Sequence, residues 1–420
     1  MTPKLFTTLR SYDRAQAGAD AVAGLTVAMV AIPLSIAIAI ASGATPSDGL
    51  VTAIVGGFLV SLLGGSRVQI GGPTGAFIVV VYGVIAAHGR DGLILATAMA
   101  GLWLLIAGAL RAGNLVAFVP EPVIHGFTLG IAAIIGLSQV ADIFGLDATG
   151  LPADAVGKVA ALWAARGTAD GAALVAGLGT MALIVLFRRL APRLPGLIVA
   201  VAFVSVLAAL AGLGLDTVQS RFGAMRGGLP APAIPAITWD RLVELFPASL
   251  VIAFLAAVES LLSAMVADRM IAGRHRPNAE VVAQGAANLG SALFGGLPVT
   301  GAIARTATNV RAGGRTPVAG LVQAMAILAV MLVAAPLAGQ LAMPALAGLL
   351  ILTAWNMADP PRIRQAMGDR TSDRVLYLLV FALTVLADLT VAISVGVAIG
   401  LALRLRRRQV PPADWTPPDR

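Results

Sequence analysis

The sequence of 420 residues is 58% hydrophobic and only 12% charged, and its mean hydropathy is +0.90. No soluble domain is built in this way, because it would have too little polar surface to face water. A helix needs about 20 apolar residues to cross a bilayer, so this length allows at most about 14 spans. The chain contains no cysteine, which excludes disulfides, thiolate metal sites and cysteine nucleophiles.

Hydropathy, with glycine and proline as punctuation, predicts an all-α polytopic membrane protein of about 14 spans. In chain order the predicted spans are 20–42, 49–64, 73–87, 92–110, 122–143, 170–187, 194–213, 247–270, 279–294, 300–310, 316–338, 343–357, 373–388 and 389–405. We predict a first repeat at 1–213, a proline-rich extracellular linker at 214–246, a second repeat at 247–405 and a short cytoplasmic tail at 406–420.

The net charge of +8 is distributed asymmetrically over these spans. With a cytoplasmic N-terminus, the opposite side carries Arg90, Lys158, Arg166, Arg221, Arg226 and Arg241, and Arg305 lies inside the membrane. All other Lys and Arg fall on the cytoplasmic side, which predicts both termini in the cytoplasm. The basic run 404–408 is interpreted as a stop-transfer anchor near anionic lipid, not as a nucleic-acid-binding segment.

An internal repeat supports the seven-plus-seven division. Pro73-Thr74-Gly75-Ala76-Phe77 opens the third span, and Pro298-Val299-Thr300-Gly301-Ala302-Ile303 opens the tenth. Because each half has an odd number of spans, the second half enters the membrane from the opposite side, and the repeat is inverted. Chance matching of Gly/Ala-rich sequence is the alternative interpretation.

The third and tenth spans are therefore predicted to be half-helices that begin near the bilayer midplane. Irregular backbone at that depth requires protein or a water-filled cavity around it. Free N–H groups and the positive ends of two helix dipoles would then face each other and form an anion site without a metal. The hydroxyls of Thr74 and Thr300 could add donors, whereas simple packing kinks are the alternative reading of the Gly-Pro breaks.

Two ionisable residues lie deep in the second half, Glu259 in the eighth span and Arg305 in the tenth. Charges at that depth are costly, so a functional role is the first hypothesis. Glu259 is predicted to carry a proton, and Arg305 either neutralises that carboxylate or strengthens the anion field. A purely structural Glu259–Arg305 pair is the alternative.

Other candidate sites are weaker. The histidines His88, His125 and His275 form no metal-binding pattern, so no metal or cofactor is predicted. Residues 71–75 lack the Gly-Lys-Ser/Thr of a phosphate loop. Asp388 is interpreted as a helix cap instead of a proton relay.

Four segments resemble the sulfate permease (SulP) family, whose animal relatives are anion exchangers and the motor protein prestin. They are Ala23–Ala28 with Ile32-Pro33-Leu34, Gly72–Phe77, Val258–Ala264, and Gly301–Val310 with Gly313–Thr316. The resemblance covers essentially the whole membrane portion. It implies a 7+7 inverted-repeat fold with a core domain (spans 1–4 and 8–11) and a gate domain (spans 5–7 and 12–14), which move as an elevator.

The resemblance also implies the positions of the site. The residues it assigns to substrate binding are Pro33, Leu34, Thr74, Gly75, Ala76, Phe77, Gly301, Ala302, Ile303, Ala304 and Arg305. Glu259 stands where the family has its coupling carboxylate. Sodium-coupled bicarbonate members have Asp there and lack the arginine, so Glu259 with Arg305 looks like the proton-coupled members.

Two departures from the family pattern matter. Many sulfate carriers have Gln where Leu34 stands, and Leu is closer to bacterial carriers of four-carbon dicarboxylates. Most members also continue into a cytoplasmic STAS domain, whereas this sequence stops 12 residues after Arg408. We expect this chain to transport without such a domain, because every predicted site residue precedes position 310.

The sequence thus predicts a multi-pass protein of a bacterial-type inner membrane that moves sulfate or a similar divalent anion by proton symport. The expected partners are a small anion, protons and the lipid bilayer, without nucleic acid, and a homodimer is a further expectation. A dicarboxylate symporter and a bicarbonate or chloride exchanger without proton coupling are the alternatives. An enzyme is disfavoured because no span carries paired carboxylates or a nucleophile–base pair, and a receptor or scaffold would have no use for Glu259 and Arg305 beside broken helices.

Overall fold

The computed structural model describes residues 2–114, 120–148, 151–152, 154–191, 195–368, 370–387 and 389–406. Asp388 and the tail beyond Arg406 therefore lie outside the described residues, as do their predicted roles. Over the described ranges the chain is almost entirely helical, and its helices follow the predicted spans in order.

The first half contains α1 (Arg14–Ala41), α2 (Pro46–Leu63) and the helical run Gly75–Ala109. That run is interrupted at Gly89, whose φ of 67° is left-handed, and we call its two parts α3 (residues 75–88) and α4 (residues 90–109). Three helices complete this half: α5 (Glu121–Phe144), α6 (Gly171–Leu190) and α7 (Gly196–Leu210).

The second half contains α8 (Trp239–Ile271), α9 (Pro277–Leu293), α10 (Ile303–Arg311), α11 (Val318–Gly339), α12 (Met343–Ala358), α13 (Thr371–Leu386) and α14 (Leu389–Arg406). Short helices at Lys4–Thr8, Ala155–Ala164, Val218–Phe222 and Pro360–Gly368 lie outside the spans. Among the described residues, α1, α2, α3 with α4, α5, α6, α8 and α11 are long and apolar enough to cross a membrane by length and composition.

Several boundaries differ from the sequence prediction, among them the starts of the eighth and tenth elements. The helix α8 begins at Trp239, not at residue 247, because Pro247 is accommodated inside the helix and does not start it. The tenth element begins at Ile303, not at residue 300, because Thr300 and Gly301 are extended. Proline removes one helical hydrogen bond but does not always end a helix that is held by its neighbours.

The helices pack in two groups. In one group, α1 packs on α11, and both α8 and α9 pack on the α3–α4 run; in the other, α5 packs on α13 and α12 packs on both α5 and α6. These groups correspond to the core and gate domains. Between α4 and α9 the backbones touch closely, since a Cβ on Gly101 or on Gly285 would lie 2.9 Å from the carbonyl oxygen of the other. Small residues permit such close helix contacts in membranes.

Two extended dipeptides join the halves at the middle of the core domain. Gly71–Gly72 (β1) pairs antiparallel with Thr300–Gly301 (β2), so that Gly71 faces Gly301 and Gly72 faces Thr300. The N–H of Ala302 donates to the carbonyl of Ile70 at 2.9 Å, which extends the ladder by one bond. The two halves of the repeat therefore meet where each chain breaks its helical path.

Candidate anion site at two helix ends

The starts of α3 and α10 leave backbone donors free. Neither Thr74 nor Ala302, the residues that precede these helices, makes a side-chain capping bond. Within the described part of the chain, the N–H groups of Gly75 and Ala76, and those of the first three residues of α10, have no protein acceptor. Free N–H groups at a helix start favour a negative charge in front of them.

One wall of this region comes from the gate domain. A Cβ placed on Gly75 would lie 3.1 Å from Ile135 Cδ1 of α5 and 3.1 Å from Met357 Sδ of α12. The start of α3 therefore lies against the gate helices, while Ile303 at the start of α10 is 45% exposed. A ligand held here would sit between the two helix groups.

Glu259 lies beside the start of α3. Its Oε2 accepts a hydrogen bond from the Thr74 hydroxyl at 2.8 Å, which links α8 to the first residue before α3. The side chain is partly buried, and no cation lies within ion-pairing distance of it among the described residues. The structure thus brings the predicted coupling carboxylate next to one of the two free helix ends.

Arg305 is fully buried. Its Nη2 donates to the Ser35 hydroxyl at 3.0 Å and to the Pro73 carbonyl at 3.2 Å, whereas Nε and Nη1 have no partner in the described region. A Cβ on Gly72 would lie 2.1 Å from Nη1, so the guanidinium could not keep this position beside a larger residue. The Glu259–Arg305 ion pair considered from the sequence is not formed, and Arg305 instead joins α1 to Pro73, the residue after β1.

The other predicted residues differ in their accessibility. Pro33, Leu34, Ala76, Phe77, Gly301 and Ala302 are buried, and Ala304 is exposed with Ile303. Pro33 lies inside α1, two residues before the Ser35 that accepts from Arg305. The Thr300 hydroxyl donates to the Ala256 carbonyl at 2.9 Å, and the Thr74 hydroxyl is used by Glu259, so neither hydroxyl points a free donor at the site.

A buried carboxylate that the sequence reasoning missed supports the irregular backbone. Glu280, in α9, accepts from the N–H groups of Gly65 and Ser66 at 2.8 and 3.1 Å, and from Ser260 and Gln284 at 3.3 and 2.9 Å. Ser260 also accepts from the Gln69 amide at 2.7 Å. The available signal in the sequence was an acidic residue inside a predicted span. Its partners Gly65 and Ser66, however, lie more than 200 residues away in sequence.

Buried polar side chains also bond the irregular backbone that precedes α10. The Asn288 amide bonds both backbone groups of Val299, and the Leu297 N–H donates to the Thr52 hydroxyl at 2.7 Å. Unpaired backbone groups in a membrane interior each cost several kcal/mol. Polar side chains from neighbouring helices therefore make the two broken segments stable inside the core domain.

Replacing Glu280 by alanine should lower the stability of the folded protein. The change leaves two buried N–H groups unpaired, each at a cost of about 1–3 kcal/mol. The readout is the thermal unfolding midpoint of purified protein in detergent, with Glu244→Ala, an exposed carboxylate of α8, as the control. An unfolding midpoint of Glu280→Ala equal to that of the control would show that Gly65 and Ser66 find other acceptors.

Comparison with known proteins identifies this architecture. The model of the sulfate permease family matches residues 18–380. The chain belongs to the sulfate permease family. This permease is 40% identical to the "putative sulfate transporter YvdB" of Bacillus subtilis, over 89% of this chain and 71% of YvdB. It is 32% identical to the bicarbonate transporter BicA of Picosynechococcus, over 89% of this chain and 68% of BicA.

Solved structures agree with this assignment. The transmembrane domain of a cyanobacterial BicA superposes on this permease with a TM-score of 0.82 at 31% identity, covering 91% of this chain and 98% of that domain. The structure of SLC26A9 matches with a TM-score of 0.88 over 97% of this chain at 17% identity, which shows the shared fold. The permease is thus a multi-pass membrane transporter of small anions with the 7+7 inverted-repeat fold, and not an enzyme.

Proposed function

We propose that this permease is a secondary active transporter that moves sulfate or a similar small divalent anion together with protons. The observation that supports this most directly is the hydrogen bond from Thr74 to Glu259 at the free start of α3. An anion bound by the N–H groups of Gly75 and Ala76 would lie close to a carboxylate that has no cationic partner among the described residues.

The charges at this place favour coupling in one direction. Like charges a few ångströms apart repel strongly where water is scarce, and the repulsion doubles when the ligand is divalent. A proton on Glu259 removes that repulsion, so anion and proton bind together more readily than either alone. Such positive linkage is what a symporter requires.

Transport itself is proposed to occur by an elevator motion. The half-helices α3 and α10, the ladder that joins them and Arg305 all belong to the core domain, whereas Ile135 and Met357 belong to the gate domain. The core domain would slide along that wall and carry the anion between the two sides of the membrane.

A bicarbonate transporter without proton coupling is the second candidate, and the likeness to BicA is what favours it. Four-carbon dicarboxylates are a further alternative because, by the family resemblance, Leu34 stands where many sulfate carriers have Gln. The candidates differ in ligand charge, size and dependence on protons.

Uptake by proteoliposomes separates them. Purified protein is reconstituted and offered labelled sulfate, bicarbonate or fumarate, with and without an inward proton gradient. We expect sulfate uptake that rises with the gradient. Uptake of bicarbonate alone, indifferent to the gradient, would reject the proposal in favour of the second candidate.

Removing the charge of Arg305 should weaken the binding of divalent anions more than the binding of monovalent anions. Arg305 contributes electrostatic potential from behind the helix ends, and the interaction energy scales with ligand charge. If Arg305→Met costs about 1 kcal/mol per ligand charge, the dissociation constant rises roughly fivefold for bicarbonate and 25-fold for sulfate. Binding to purified protein is the measurement, and Arg305→Lys, which keeps the charge, is the control. If the binding of both anions weakens equally, Arg305 has only a structural role.

A further inference from the structure

A buried lysine lies outside the anion site described above. Lys158 belongs to the short helix Ala155–Ala164, in the connection between α5 and α6, and is only 5% exposed. Its ammonium lies 4.9 Å from the centre of the Tyr82 ring on α3, and the Tyr82 hydroxyl donates to the Leu151 carbonyl of the same connection at 2.9 Å. The connection therefore closes over the outer part of α3.

Among the described residues, the charge of Lys158 has no carboxylate partner. No Asp or Glu of the described residues lies within ion-pairing distance, and the nearby Asp154 caps its own helix by accepting from the Gly157 N–H at 2.6 Å. The aromatic ring offsets only part of the cost of burying a cation. Burial lowers the pKa of Lys158, against a smaller opposing influence of Asp154. An unpaired, buried cation of this kind is suited to receive an anion.

Lys158 lies near the boundary between the core and gate domains. Tyr82 follows Gly75 by seven residues, which is about two helical turns or 10 Å along α3 and returns to nearly the same face. That face is the one that Gly75 turns toward Ile135 and Met357. Lys158 thus lies over the core–gate boundary, beyond the start of α3 and on the side predicted to be extracellular.

We propose that Lys158 is a second anion-binding residue, which contacts small oxyanions as they pass between the extracellular solution and the helix ends. This inference rests on the proposed function, because it assumes that anions travel along this boundary. In this proposal Lys158 contributes to anion affinity on the extracellular face and has no role in proton coupling.

The amine provides a direct test that does not depend on transport. Lys4 and Lys158 are the only lysines of the sequence, and Lys4 is predicted to be cytoplasmic. A membrane-impermeant amine-acylating reagent added to intact cells should modify Lys158 slowly, because its side chain is only 5% exposed. Mass spectrometry of the peptide that contains Lys158 measures the rate. Sulfate should slow this modification in a concentration-dependent way. A modification rate unchanged by sulfate, bicarbonate and fumarate would overturn the proposal, as would no modification at all.

A second measurement separates anion binding from a merely structural role. Lys158→Met should raise the KM for anion supplied at the extracellular face roughly tenfold and leave the KM at the cytoplasmic face unchanged. Lys158→Arg should restore the affinity to within about twofold. Arg166→Met removes an exposed cation of the same connection, stacked on Trp163, and serves as the matched control.

The outcomes distinguish the two proposals. An equal rise of KM on both faces, or no rise at all, contradicts the role of Lys158 while anion transport by the wild type stands. Protection of Lys158 by sulfate in a protein that shows no sulfate uptake supports the residue's role and rejects the proposed function.

Discussion

Replacing Gly75 by valine should reduce anion transport roughly tenfold or more while the protein still folds. Gly75 turns toward the gate domain, and even a Cβ at this position would lie 3.1 Å from both Ile135 and Met357. A valine would occupy the space in front of the free N–H groups and hold the core domain away from its wall. Overpacking of this kind costs about 1–3 kcal/mol.

Sulfate uptake into proteoliposomes measures the effect, and size-exclusion chromatography reports folding. Gly83→Val is the matched control, because Gly83 lies on the same helix with nothing within 4 Å of an added Cβ. Ala302→Leu places a larger side chain directly before the start of α10. Normal uptake by both Gly75→Val and Ala302→Leu would place the substrate elsewhere.

Replacing Glu259 by glutamine should abolish the acceleration of uptake by an inward proton gradient. Glutamine retains an oxygen that accepts from the Thr74 hydroxyl, so the local geometry is kept while the titrating group is removed. The variant should still bind sulfate and exchange it across the membrane, because a neutral side chain does not repel the anion. The expected ratio of uptake with and without the gradient is about one.

Glu244→Gln serves as the control for this experiment, since Glu244 lies on the same helix but is largely exposed. Uptake and counterflow are measured on the same preparation of each variant. If Glu259→Gln still responds to the proton gradient as the wild type does, the proton is carried by another group and the assignment is wrong.

The sequence predicts the helices of this protein well because apolar length is a local property. Each predicted span corresponds to a helix, and the Thr-Gly-Ala repeat correctly marks the two half-helices. Prediction from local sequence is less accurate where packing against a neighbouring helix determines where a helix begins. Pro247 reads as a helix start in the sequence, yet packing in the core domain carries α8 through it.

Buried polar partners are the part that sequence reasoning could not supply. Glu280 was overlooked, and Arg305 was considered with Glu259, because the partners that matter lie far along the chain. The contact from Arg305 to Ser35 spans 270 residues and that from Glu280 to Gly65 spans 215. Nothing in the spacing of residues indicates such contacts before the fold brings them together.

The pairing of β1 with β2 has a consequence for how this permease discriminates between anions by size. Hydrogen-bonded strands lie about 4.7–4.9 Å apart, a spacing that side chains do not set. Because the strands run antiparallel, α3 follows one end of the ladder from Ile70 to Ala302 and α10 follows the other, so backbone hydrogen bonds hold the two helix starts in one relative position. The size of an anion held by both helix ends is therefore limited by backbone geometry. Side-chain substitutions around the site should alter affinity and charge preference more readily than the largest ionic radius that is accepted.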